Sequence, residues 1–225
     1  MSARTELGRL HVLTDTRPGR DAIATVHAAV SVGAPVVQVR VEDTVTDREA
    51  YDLAVRVAAL CGQYGATCLV NDRLHVALAA GADGGHVGAS DLPVAVARRL
   101  LGPAAVLGVS SRRPDTARAA VAQGATYLGV GPAFPTTTKA NLPDPIGAAG
   151  VAAVVAAVPG TPVIAIGGVT APRVPELMAA GAYGVAVVSA LSTAADPAAV
   201  TAALLAEVAR HAGLPAQPLT AGGPG

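Results

Sequence analysis

Eight short apolar runs, each followed by a longer Ala-rich amphipathic stretch, pass along the chain, and this alternation restricts the fold more than any other feature. The runs predict strands at His11–Asp15, Val36–Arg40, Cys68–Asn71, Gly85–Gly88, Val106–Ser110, Tyr127–Gly131, Val163–Gly167 and Val185–Val188. The stretches between them predict helices at Asp21–Val32, Asp47–Tyr64, Leu74–Ala80, Leu92–Leu101, Pro114–Gln123, Ala148–Ala157, Pro172–Ala180 and Ala198–His211. Short strands separated by helices pair in parallel and are covered on their outer faces. Gly33, Gly65, Gly81, Gly124 and Gly181 stand just past predicted helix ends, where glycine closes the last turn. The phrases Ser31-Val32-Gly33-Ala34, Ala79-Ala80-Gly81-Ala82, Ala122-Gln123-Gly124-Ala125 and Ala179-Ala180-Gly181-Ala182 repeat that hand-over, a weak internal repeat.

Eight β–α units in 225 residues predict an α/β protein with a single (β/α)₈ TIM barrel over residues 1–212. A doubly wound open sheet would need a glycine fingerprint after the first strand, and Asp15-Thr16-Arg17-Pro18 is not one. Gly213–Gly225, rich in Pro and Gly and without periodicity, reads as a disordered tail.

Composition narrows the function. With 52% hydrophobic and 14% charged residues, the chain is neither disordered nor fibrous. Lys+Arg 16 balances Asp+Glu 16, which argues against bulk electrostatic binding to nucleic acid or an anionic membrane. One Phe, four Tyr and no Trp leave little material for base stacking. Charges, Gly or Pro interrupt every apolar run before the ~18–20 residues of a membrane span. Met1–Arg9 lacks the layout of a signal peptide. Cys61 and Cys68 have neither CxxC spacing nor a His-containing partner motif, so they read as buried free thiols in a reducing, cytoplasmic setting.

In a barrel of this kind, chemistry sits at the C-terminal strand ends. Gln38 and Arg40, two apart, share one face of the second strand. Asn71-Asp72 ends the third strand and Asp91 follows the fourth. Each aspartate taken alone reads as a helix cap, Asp91 for a helix from Leu92. Taken together, they place two carboxylates at adjacent strand mouths, the hydrated oxygen arrangement that suits Mg²⁺. His86, inside an apolar strand, reads as a satisfied core histidine. Ser110 ends the fifth strand, and Thr136-Thr137-Thr138-Lys139 follows the sixth in a loop braced by Gly and Pro. Hydroxyl donors beside one cation suit phosphate or pyrophosphate. Gly167-Gly168 and Val188-Ser189 end the seventh and eighth strands, where this fold recurrently binds phosphate.

In this order on successive strands, these motifs resemble the thiamine phosphate synthase family over roughly His11 to Pro197. That family joins a hydroxymethylpyrimidine diphosphate to a thiazole phosphate and releases pyrophosphate. The resemblance implies that Gln38, Arg40, Asn71, Ser110 and Lys139 hold the pyrimidine diphosphate, with Arg40, Lys139 and Ser110 closest to the chemistry. It implies that Asp72 and Asp91 hold Mg²⁺ and that Thr136, Thr138, Gly168, Val188 and Ser189 bind the thiazole phosphate. The implied partners are small phosphorylated molecules, with a homo-oligomer left open.

Two positions depart from the family pattern. Glu42 stands where a Lys is usual, and Ala89 where a Gln is usual. A carboxylate about 4 Å from a phosphate charge would repel it by about 4 kcal/mol at an effective dielectric near 20, so Glu42 should point away or help hold the metal. A related thiazole phosphate tautomerase and a non-catalytic phosphometabolite-binding barrel are the competing readings. A requirement for Mg²⁺ separates the synthase from the tautomerase.

Overall fold

The computed structural model describes residues 7–138 and 143–212. The expected tail at 213–225 and Lys139 lie outside these residues. Eight parallel strands close into a barrel in sequence order: β1 (Leu10–Leu13), β2 (Val36–Val39), β3 (Thr67–Asn71), β4 (Gly84–Val87), β5 (Val106–Ser110), β6 (Tyr127–Val130), β7 (Val163–Ile166) and β8 (Gly184–Val187). The helices between and after them are α1 (Ala22–Ser31), α2 (Asp47–Tyr64), α3 (Leu74–Ala79), α4 (Val94–Leu101), α5 (Pro114–Ala122), α6 (Gly147–Ala157), α7 (Val174–Ala179), α8 (Ser189–Ser192) and α9 (Pro197–His211). The expected (β/α)₈ barrel is present, and the five predicted helix-ending glycines all have positive φ.

Side chains alternate across each strand. One set, including Leu13, Val36, Leu69, Val106, Tyr127, Ile164 and Ala186, packs together in the barrel interior. The other set, including Val12, Val87, Leu107, Val130 and Val185, packs against the helices. The interior also carries buried His11, Gln38 and His86. Gly108 makes room for these rings, since a Cβ there would lie 2.2 Å from Tyr127 Cζ and 2.3 Å from His86 Nδ1.

Several predicted strands run one residue too far, and the first runs two too far, because the chain leaves the sheet at the C-terminal mouth. Gly167, for example, has φ +96°, outside strand geometry. Helix α4 begins at Val94 rather than Leu92, because a residue before proline is pushed out of helical conformation and Pro93 stands at the cap. Asp91 is therefore not a cap, and its Oδ2 accepts a hydrogen bond from the Gly88 amide at 2.7 Å. Ala171–Arg173 form a 3₁₀ turn ahead of α7, and the four-residue α8 was not foreseen.

At the opposite end of the barrel, polar groups serve the fold. Arg98 donates to the carbonyls of Gly102, Ala105 and Gly124 and to Thr126 Oγ1, joining α4 to the starts of β5 and β6. Cys61 on α2 and Cys68 on β3 are both buried and free, as expected. Among the described residues, no helix is long and apolar enough to cross a membrane.

Candidate active site

The alternation that fills the interior also selects the residues at the mouth. Gln38 is interior on β2, and Arg40 is two residues on. Asn71 follows interior Leu69, and Ser110 follows interior Val106 by two pleats. Residues from three strands are thereby aimed at one opening.

A hydrogen-bonded chain crosses beneath it. Gln38 Nε2 donates to the Tyr127 hydroxyl at 3.2 Å, that hydroxyl lies 3.0 Å from His86 Nδ1, and His86 Nε2 lies 2.9 Å from Ser110 Oγ. His86 is the satisfied core histidine expected, and it also holds a site residue. Burial lowers the His86 pKa to about 4 despite the Asp91 carboxylate, and burial lowers that of His11 to about 3. Both rings are neutral near pH 7. Burial likewise pushes the Tyr127 phenol upward, so the Gln38–Tyr127–His86–Ser110 chain is uncharged.

Arg40 is fixed through its backbone, because Thr14 Oγ1 accepts its amide at 2.8 Å and donates to its carbonyl at 2.6 Å. Its Nη1 lies 2.9 Å from Glu42 Oε1. Glu42, expected either to point away from a bound phosphate or to help hold the metal, is thus paired with the site's arginine. An Arg two residues away offers a carboxylate a closer partner than either alternative.

Asn71 and Asp72 lie at the end of β3, paired in register with β4, where Asn71 faces His86. Asp72 takes φ +61°, a left-handed conformation that aspartate tolerates better than most residues. It stands one residue ahead of the α3 cap position, Arg73. Among the described residues, no three His, Cys, Asp or Glu side chains form a metal cluster.

The loop after β6 hangs on β7, with the amides of Ala133 and Phe134 donating to the carbonyls of Ile166 and Gly167 at 2.8 and 3.0 Å. This brings the threonines across the mouth. Thr136 Oγ1 and Thr138 Oγ1 lie 3.1 Å apart, and Thr138 Oγ1 donates to Ser189 Oγ at 3.5 Å. Gly168, with φ +64°, packs under this loop, where a Cβ would lie 2.5 Å from the Pro135 carbonyl oxygen. Val188 caps α8, which starts at Ser189. Thr136, Thr138, Gly168, Val188 and Ser189 thus lie after β6, β7 and β8, and Gln38, Arg40, Asn71 and Ser110 lie at the ends of β2, β3 and β5.

Sequence comparison supplies the lineage. A family model described as thiamine monophosphate synthase matches residues 10–191. The chain belongs to the thiamine-phosphate synthase family. It is similar to a thiamine-phosphate synthase of Salinispora arenicola, 68% identical over 203 residues that cover 89% of this chain and 97% of that one. The thiamine-phosphate synthase of Salinispora tropica is 67% identical over the same shares. Among solved structures, a thiamine phosphate pyrophosphorylase from Pyrococcus furiosus superimposes with TM-score 0.81 at 34% identity, covering 90% of this chain and 96% of that one. The 3-hexulose-6-phosphate synthase from Salmonella typhimurium, with TM-score 0.66 at 20% identity and 90% and 99% coverage, shares the fold alone.

Asp15 is not among the site residues expected from sequence. It ended the predicted first strand on the interior-facing alternation, which was the available signal. Its buried carboxylate accepts from Arg17 Nε at 2.8 Å, Arg17 Nη2 at 2.7 Å and Ser192 Oγ at 2.6 Å. These bonds hold its pKa far below the usual carboxylate range, the Arg17 pair contributing most.

Proposed function

We propose that this thiamine-phosphate synthase family member is a transferase of thiamine biosynthesis that joins a hydroxymethylpyrimidine diphosphate to a thiazole phosphate. The C–O bond between the pyrimidine methylene and the diphosphate breaks, and the electron pair leaves with pyrophosphate. The thiazole nitrogen lone pair then forms the new C–N bond, giving a thiazolium. The nitrogen is already nucleophilic, so no Ser-His-Asp or Cys-His arrangement is needed.

The observation that carries this reading is the placement, at one mouth, of two sets of phosphate-compatible groups, one at the ends of β2, β3 and β5 and the other after β6, β7 and β8. Arg40 and Lys139 would bear the growing charge on the leaving diphosphate. Gln38, Asn71 and Ser110 would orient the pyrimidine half, with Ser110 steadied by neutral His86 and Gln38 by Tyr127. Thr136, Thr138, Gly168, Val188 and Ser189 would hold the thiazole phosphate.

Asp72 and Asp91 would hold Mg²⁺, which when bound would neutralise part of the diphosphate charge. The donor set fits, because Mg²⁺ at phosphate sites takes one or two carboxylates and completes its shell with phosphate oxygens and water. Asp91 is steadied for this role by the Gly88 amide on Oδ2. The buried free thiols support a reducing, cytoplasmic setting. The test is thiamine phosphate formation by the purified protein, given both substrates with and without Mg²⁺. Mg²⁺-dependent product is expected, and a folded protein that yields none would overturn the reading.

A further inference from the structure

Arg17 stands at the same mouth with no part in the reaction so far. The β1–β2 register pairs Leu13 with Gln38, so two residues further on Asp15 is level with Arg40. Ser192, just past β8, donates to Asp15 and anchors it from the other side. The Asp15 side chain is 1% exposed and that of Arg17 28%. The Arg17 fork spends Nε and Nη2 on Asp15, and its Nη1 makes no hydrogen bond among the described residues. A guanidinium has five N–H donors, so Arg17 retains donors for an anion.

Glu42 joins the neighbouring loops. Its amide donates to Thr16 Oγ1 at 3.1 Å, its carboxylate pairs with Arg40, and its charge reinforces that of Arg17. With Arg20 Nε 3.9 Å from Asp15, three guanidiniums face two carboxylates at this rim. The two carboxylates differ in burial. Asp15 is sealed and fully hydrogen-bonded, whereas the Glu42 side chain is 33% exposed. An incoming anion with more than one charge can displace the exposed carboxylate into water, but not the buried one.

Building on the function proposed above, we propose that Arg17, presented by Asp15, is a further diphosphate-binding residue, and that Glu42 is the counter-charge a diphosphate displaces from the arginine rim. Asp15 and Ser192 are positioning residues for this fork. Arg17 stays oriented before substrate arrives, so little of its side-chain freedom is lost on binding.

Calorimetric titration of the full chain with inorganic pyrophosphate and Mg²⁺ tests this, alongside steady-state kinetics with both substrates. Arg17→Gln should weaken pyrophosphate on the order of tenfold, the weight of a charge-assisted hydrogen bond. The KM for the thiazole phosphate should hold. Arg17→Lys should recover part of the loss. Glu42→Gln, at a partly exposed position that leaves folding intact, should tighten pyrophosphate severalfold. Wild-type affinity in folded Arg17→Gln overturns the assignment, as does a loss confined to the thiazole phosphate. Should Arg17→Gln fail to fold, unchanged pyrophosphate affinity in Arg17→Lys and Glu42→Gln together overturns it. Wild-type protein that binds no pyrophosphate and forms no product overturns the parent reading, and this one with it.

Discussion

Gly108 has no side chain, and that is why a tyrosine and a histidine can share the barrel interior. Gly108→Ala would drive a methyl group into Tyr127 and His86. We expect it to cost about 1–3 kcal/mol in urea unfolding, the usual range for overpacking, and to lower turnover by disturbing Ser110 through His86. Full stability with full activity would show that the rings can shift freely. Asp91 makes a second test at this scale. Asp91→Ala should lose activity that added Mg²⁺ partly restores, read as a rightward shift of the Mg²⁺ activation curve; an unchanged curve would remove Asp91 from the site. The types of the mouth residues were legible because polar groups are conspicuous at the ends of apolar strands. Their pairings were not. Ser192 meets Asp15 across 177 positions of sequence, and no local pattern announces such a contact.

Helix α2 shows what makes an element readable. Its limits, Asp47–Tyr64, match the sequence expectation at both ends because both ends carry local chemistry. Thr46 and Glu49 form a reciprocal capping box, and Gly65 closes the other end at φ +70°. Thr46→Ala should therefore cost about 1 kcal/mol in chemical denaturation, with fraying confined to the first turn by hydrogen exchange. Loss of the whole helix would mean that its packing against β2 and β3 is weaker than its buried face implies. Helix α4 was misplaced because a pre-proline residue was counted as helical, and α8 was missed because four residues are too few to show a helical period. The strand ends were overrun because alternation continues into the mouth after hydrogen bonding has stopped. The larger errors thus lie at the mouth, where the chain leaves regular structure for the site, while at the other end β1, β3, β4 and β8 each start one residue earlier than expected.

For the molecule as a whole, the buried histidines set an acid limit. The unfolded chain takes up protons near the ordinary imidazole value of 6.5, whereas folded His86 resists to about 4 and folded His11 to about 3. Below pH 6.5 the unfolded state therefore binds more protons, and stability falls as pH drops through that window. Each histidine contributes about 1.4 kcal/mol per pH unit within its window. Asp15 adds its own loss only below the ordinary carboxyl range, since its folded pKa is depressed. Urea midpoints between pH 7.5 and 5 should fall accordingly, and His11→Gln should remove about half of the slope; a flat profile would mean that the rings are hydrated. The barrel itself was legible from the eightfold alternation, but the polar chain across its interior was not, because each member read alone is an ordinary core residue. That chain also gives the protein an optical reporter. There is no tryptophan to dominate the near-ultraviolet, and Tyr127 is buried with its phenol pushed toward the neutral form. Its tyrosinate absorbance should appear under alkali only when the barrel opens, together with the loss of helical circular dichroism.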